Sequence, residues 1–196
     1  MDLTFAGVLA DAATRLGEAL KSARHPMHAP VIGTADGDLR IMVLREATPD
    51  LSCLRFNTDW RSPKAWLIAN GGPVSVLAYD PTARVQLRMQ GQGRIERIGP
   101  IADAAWSAAQ LSSKRCYLAA SGPGALLDGP GAALPEDMLN RSPTADEAEQ
   151  GRENFAVLLV EVRVLDWLQL THYGGVRARF IRHSAGEDWQ ASWVAP

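Results

Sequence analysis

Cysteine is scarce in this chain: 196 residues carry two, Cys53 and Cys116, and no C-x-x-C spacing occurs. That excludes a disulfide framework and a cysteine-built zinc site, and it fits a reducing, cytoplasmic compartment. Histidine is also sparse, at four residues. His25 and His28 lie close together but lack a cysteine or carboxylate partner at ligand spacing, so no metal site is expected. No Ser-His-Asp order suggests a hydrolytic triad. The formal net charge is only −2, which gives no global bias toward nucleic acid or an anionic membrane. No run approaches the ~18 consecutive apolar residues of a membrane span. The first residues lack a basic region followed by an apolar run, so no signal peptide is expected.

What is present suits one domain over residues 1–196, with 46% hydrophobic residues and enough length to bury a core unaided. Val8, Leu9, Ala12, Ala13, Leu16 and Leu20 recur at helical spacing and predict an amphipathic helix over roughly residues 3–23, ended by His25-Pro26. The period then changes to that of strands. Residues 29–35 form the first strand, turned by Asp36-Gly37; Leu39–Arg45 forms the second and Leu51–Thr58 the third. Ser62 is placed to cap a short helix with Pro63 at its first position. Residues 73–79 and 83–97 are strands, with Gly91 and Gly93 marking a bend or bulge in the second. A helix runs from Pro100 to about Leu111. Residues 121–142 read as a long Gly/Pro-rich loop, and residues 143–153 as a short helix capped by Ser142. Phe155–Leu170 is a strand pair or one long bent strand. Val176–His183 and Trp189–Val194 close a hairpin around Ala185-Gly186. Eight or nine short strands with tight turns favour a mainly β, antiparallel barrel with peripheral helices.

Three patterns carry possible chemistry. Arg40 and Arg45, then Thr58, Arg61, Ser62 and Lys64, bring cations and hydroxyls to strand ends and a helix start, which suits a phosphate monoester. Gln86, Arg88 and Gln90 share one strand face and could hydrogen-bond a heteroaromatic ring. Trp167, His172, Arg177, Arg179 and Phe180 could cover a flat ligand. By itself, each pattern more often marks a solvated surface.

In this order, RIMVLR at Arg40–Arg45, FNTDWRSPKAWLIAN at Phe56–Asn70, VQLRMQG at Val85–Gly91 and DWLQL…RARF ending at Phe180 resemble the pyridoxamine 5′-phosphate oxidase-like FMN-binding family. The resemblance spans nearly the whole chain. It implies an FMN-binding split barrel of antiparallel Greek-key type, and a homodimer with FMN at the subunit interface. It further implies flavin contacts from Arg40, Met42, Val43, Arg45, Asn57, Thr58, Arg61, Ser62, Lys64 and Gln86. Within that set, Arg40, Thr58 and Lys64 hold the phosphate and ribityl chain, and Gln86 meets the ring. Trp167 and Arg179, from the partner chain, complete the pocket.

The sequence also departs from the family. Asn57-Thr58 replaces a tyrosine–threonine pair, Pro63 replaces a basic residue, and Gly175-Val176-Arg177 replaces an Arg-x-His substrate pair. The arginine that grips the substrate phosphate has no counterpart among Ser113, Lys114 and Arg115. The implied activity is therefore an FMN-dependent oxidoreductase acting on a small molecule, not specifically a pyridoxamine phosphate oxidase. The alternative is a non-catalytic flavin- or haem-binding barrel. Arg40 and Arg45 pose a geometric demand: an odd separation aims them at opposite faces of a regular strand, unless a bulge intervenes or Arg45 lies past the strand end.

Overall fold

Thr4 begins the first helix, its hydroxyl accepting the Gly7 N–H at 3.1 Å. The computed structural model describes residues 3–184 and 186–196. Helix α1 spans Phe5–Lys21 and buries Val8, Ala12, Leu16 and Ala19, a stripe at helical spacing. The expected turn residue Ala185 lies outside the described residues. The strands that follow are β1 (Val31–Thr34), β2 (Leu39–Ile41), β3 (Leu44–Ala47) and β4 (Cys53–Asp59). Helix α2 (Pro63–Ile68) precedes β5 (Gly72–Asp80) and β6 (Val85–Glu96). Helices α3 (Pro100–Ser107), α4 (Leu111–Lys114) and α5 (Ala145–Glu149) lead to β7 (Phe155–Thr171), β8 (Gly174–Ile181) and β9 (Gln190–Val194).

The fold is mainly β. The described residues form one nine-stranded sheet, ordered β2-β1-β5-β6-β7-β4-β3, with β8 on β7 and β9 on β8. The chain divides into two units. The first comprises Met1–Phe56, Gly71–Arg94 and Leu159–Pro196, and the second Asn57–Asn70 and Ile95–Leu158.

In the first unit, the expected strand Leu39–Arg45 is broken. β2 pairs with β1 as far as Ile41, and β3 then pairs with β4. Between them the backbone changes partners: Met42 N–H donates to the Pro30 carbonyl and Leu44 N–H to the His28 carbonyl. The β3–β4 register jumps between Leu44 and Glu46, leaving Arg45 as the bulged residue. β4 starts two residues later than expected because Leu51 sits in a tight turn at φ 56°, its N–H bonded to the Thr48 carbonyl. The pairing of β5 with β6 runs unbroken from Gly72↔Gly93 to Asp80↔Val85, so the glycines mark no bulge there. Gly91 instead admits the backbone of β7: a Cβ at that position would lie 1.8 Å from the Glu161 carbonyl oxygen. Buried polar groups are paired. Trp167 Nε1 donates to Asp11 at 2.9 Å, and Arg15 bridges Asp11 and Asp80, each at 2.8 Å. Arg182, 3% exposed, donates to the Val162 and Leu51 carbonyls and lies 4.1 Å over the Trp189 ring.

The second unit packs Trp106, Tyr117 and Phe155 against one another with centroids 5.1–5.8 Å apart. The helix expected from Pro100 to Leu111 stops at Ser107, and α4 follows separately. The 121–142 loop contains a 3₁₀ turn at Glu136–Met138. Arg141 near its end bonds Glu147, which, with the Thr144 amide, holds the Glu147 carboxyl down at about 2. The cap of α5 is Thr144, not Ser142, because Thr144 and Glu147 make a reciprocal capping box.

The glycine environments give opposite expectations for two substitutions. Gly91→Ala forces a backbone shift and should destabilise by about 2–3 kcal/mol, the range of severe overpacking. Gly17→Ala, with nothing within 4 Å of the added carbon in α1, should stabilise by roughly 0.5–1 kcal/mol. Urea denaturation of both variants measures this, and a neutral Gly91→Ala would refute the close-approach account.

Candidate flavin-phosphate turn and arginine hollow

The residues expected at a ligand fall in both units, and each unit holds its own cluster. In the second unit the cluster is the turn from Thr58 to Lys64. Thr58, Asp59 and Ser62 are buried there, at 4%, 7% and 1% exposure. The Asp59 carboxylate organises the turn. Its Oδ1 accepts the Arg61 N–H at 2.8 Å and Arg61 Nε at 3.1 Å, and its Oδ2 accepts Nη2 at 2.7 Å. Arg61 Nη1 donates onward to the Ala119 carbonyl at 2.9 Å. Hydrogen bonding to Asp59 raises the Arg61 guanidinium's affinity for its proton. Arg61 is thus committed to the turn itself.

Ser62 occupies the cap position of α2 but makes no side-chain cap bond. Its hydroxyl donates to the Asp59 carbonyl at 2.7 Å and accepts from Lys64 Nζ at 3.0 Å. Its single proton is thus spent on Asp59, and its oxygen holds the Lys64 ammonium. Asn57, half-buried, immediately precedes Thr58. Trp60 stacks on Trp66 at 5.3 Å, and Arg97 lies 4.3 Å over Trp60. Trp66 is 63% exposed. It borders an open hollow of about 330 Å³ with Arg61, Pro63 and residues 122–125.

In the first unit, Arg40 donates to Thr34 Oγ1 at 2.8 Å and pairs with Asp38 across the β1–β2 turn. Met42 is buried, Val43 half-buried, and Arg45 exposed in its bulge. On β6, Val85, Leu87 and Met89 are buried while Gln86, Arg88 and Gln90 face outward, as the alternation predicts. Gln86 lies opposite Tyr79. Trp167 is fully buried, its indole committed to Asp11, so it packs the unit's interior. Arg179 is exposed and lies directly across from Asp166 in the β7–β8 register.

Asp166 is the residue that sequence reasoning missed. Its carboxylate accepts Arg88 Nη2 at 3.0 Å and, in a two-pronged contact, Arg177 Nε at 3.0 Å and Nη2 at 2.8 Å. Burial pushes its pKa up, but the hydrogen bonds from Arg177 and Arg88 outweigh that and leave it below the ordinary aspartate value. Asp166 therefore stays ionised at neutral pH. The available signal was an acidic residue within the apolar run Val164–Leu168 (VLDWL), which demands a cation from a neighbour when buried.

No family model matches the chain, and no curated protein does. Solved structures do. One is a pyridoxamine 5′-phosphate oxidase-related, FMN-binding protein from Nostoc punctiforme PCC 73102, 22% identical, with TM-score 0.68 over 95% of both chains. A second is PhzG from Burkholderia lata 383, solved with tetrahydrophenazine-1-carboxylic acid. It is 18% identical, with TM-score 0.69 over 100% of this chain and 99% of that one. A third, from Clostridium acetobutylicum, is related to general stress protein 26 and described as of the pyridoxinephosphate oxidase family. It is 10% identical, with TM-score 0.50 over 86% and 94% of the two chains. The chain has the split-barrel fold of these proteins.

The turn geometry gives a direct expectation for Ser62→Ala. Losing the hydroxyl removes one bond to the buried Asp59 carbonyl and the anchor of Lys64 Nζ. Stability should fall by about 1 kcal/mol. An unchanged urea midpoint would show that the hydroxyl does not hold the turn.

Proposed function

We propose that the chain is an FMN-binding flavoprotein that works as an oxidoreductase on a small molecule. The observation that carries this reading is the split-barrel fold shared with FMN-binding proteins, joined to the Asp59–Lys64 turn lying where the sequence resembles that family's phosphate-binding segment. The chemistry suits the group: an ammonium steadied by Ser62 complements a phosphate monoester.

When bound, FMN would supply hydride chemistry. The chain's residues would bind and orient it. In the second unit, Lys64 grips the phosphate, Thr58 and Asn57 stand beside it, and Ser62 and Arg61 hold the turn's shape. In the first unit, Arg40, Met42, Val43, Arg45 and Gln86 are proposed flavin contacts on the ground of the resemblance. Trp167 is left out of this set, because its indole is spent inside the core. No helix among the described residues is long and apolar enough to cross a membrane. Two free cysteines accord with a cytoplasmic site of action.

Purified protein should be yellow, with a flavin absorbance spectrum and FMN released on denaturation. Lys64→Ala should weaken FMN binding about ten- to a hundred-fold, the worth of one charge-assisted contact. A chain that takes up no FMN in titration would refute the reading. Reduction of bound flavin by NAD(P)H or candidate amines, with turnover, separates an enzyme from a carrier.

We also propose a homodimer. On the first unit's sheet, Leu39, Ile41, Leu77 and Tyr79 are 68%, 70%, 40% and 43% exposed, and Val31 lies in register between Ile41 and Leu77. Such an apolar strip suits a second copy of the chain. Light scattering should give a dimer mass for the native chain and a shift toward monomer for Ile41→Asp. A native mass equal to one chain would overturn the dimer.

A further inference from the structure

The segment from Ala120 to Ala133 is an Ω-shaped loop, closed at its neck by the Ala120 N–H, which donates to the Ala133 carbonyl at 2.8 Å. It lies wholly in the second unit, as does the Asp59–Lys64 turn. Its tip stands clear: Leu126 is 99% exposed, and nothing lies within 4 Å of a carbon added at Gly129 or Gly131. Its first limb is pressed onto the turn. A Cβ at Gly122 would lie 2.6 Å from Arg61 Cβ and 3.3 Å from the Arg61 carbonyl oxygen. A Cβ at Gly124 would lie 3.4 Å from Pro63 Cγ. Just before the neck, the Ala119 carbonyl accepts Arg61 Nη1 at 2.9 Å.

Gly122 lies outside the left-handed region, so no turn geometry requires a glycine there. What it permits is the close approach to Arg61, at the entropic cost of ordering a glycine. The atom that an alanine would strike is no flexible side-chain end. Arg61 Cβ rides on a backbone whose N–H is bonded to Asp59 Oδ1. On another side of the turn, the Trp60 N–H donates to the Asn154 carbonyl at 3.0 Å, and Arg97 lies over the Trp60 ring. The turn is therefore held between that support and the loop limb. Arg61 and Pro63 flank Ser62, and the Ser62 hydroxyl anchors Lys64 Nζ. A displacement of either flank reaches the ammonium through one residue.

We infer that the limb Gly122–Gly124 is a positioning clamp for Lys64. It bears on Arg61 and Pro63, and so sets how tightly the turn holds an anionic ligand, without touching that ligand itself. The identity of the ligand as FMN rests on the flavin reading. The clamp works as preorganisation does: an ammonium already in place loses less freedom when it binds.

Calorimetric titration of the full chain with FMN tests the clamp. Gly122→Ala should weaken binding about three- to tenfold, part of the loss expected for Lys64→Ala. Gly124→Ala, strained at φ 88° and in contact with Pro63, should act in the same direction and is the second probe if Gly122→Ala does not fold. Gly129→Ala, on the same loop but without neighbours, should bind as the native chain does. The decisive measurement is a double-mutant cycle with Lys64→Ala. A clamp that acts through Lys64 has nothing left to act on in that background, so Gly122→Ala should cause no further loss there. A general loosening of the unit would instead weaken binding by the same factor in both backgrounds. That result overturns the inference, and so does native affinity in both Gly122→Ala and Gly124→Ala. Running the same cycle with inorganic phosphate keeps the two proposals apart. A chain that refuses FMN, yet binds phosphate through Lys64 and more weakly in Gly122→Ala, refutes the flavin reading alone. A chain that takes FMN equally well before and after both glycine substitutions refutes the clamp alone. A chain that binds neither refutes both.

Discussion

A carboxylate drawn into a sheet cannot remain ionised without cations, and Asp166 satisfies that requirement with guanidinium groups from β6 and β8. Much of the arrangement on this face of the first unit follows from this constraint. Arg177 is fixed in a two-pronged contact and Arg88 is drawn toward the same carboxylate. Removing the carboxylate would leave three like charges crowded on one face. Keeping it leaves a concave, positively biased patch on strands whose opposite residues, Leu87, Met89, Leu165 and Ala178, are buried. The β6 alternation sets which residues are available to that patch, and the buried acid decides how they are used.

The Asp59–Lys64 turn repeats the logic on a smaller scale. Asp59 binds its near neighbour Arg61 through three contacts. Arginine is suited to this because its planar fork can satisfy both carboxylate oxygens and still reach the Ala119 carbonyl. The backbone after Asp59 is then held in one shape, and Ser62 passes that order on to Lys64. A flexible ammonium loses entropy on binding an anion, so a hydroxyl that has already restrained it lowers the cost of capture.

The parts of the structure legible in the sequence were those governed by local period and turn chemistry. The α1 stripe of Val8, Ala12 and Leu16, the alternation along Val85–Gln90 and the Ser62-Pro63 helix start follow from neighbours a few residues apart. The break at Met42-Val43 was not legible, because no local residue forbids a strand there. The interruption arises where β2 and β3 pair with different partners. The Arg45 bulge was recognised only as a requirement. The cap of α5 moved to Thr144 because a reciprocal capping box outweighs a proline at the first helical position. The resemblance identified the Thr58–Lys64 segment, but it could not tell which way the Ser62 hydroxyl points. Nor could it show that Trp167 is used up by Asp11, a partner 156 positions away in the chain. Long-range pairing of acids was the consistent blind spot, at Asp11 and at Asp166.

Arg88, Arg177 and Arg179 meet the single carboxylate of Asp166 in the arginine hollow, and their surplus charge has a limited reach. At physiological salt the screening length is about 8 Å. Two uncompensated guanidinium charges on a chain whose overall balance is −2 therefore cannot draw anions from a distance. Arrival would be left to diffusion, and selection would occur after collision, in the time a visitor stays.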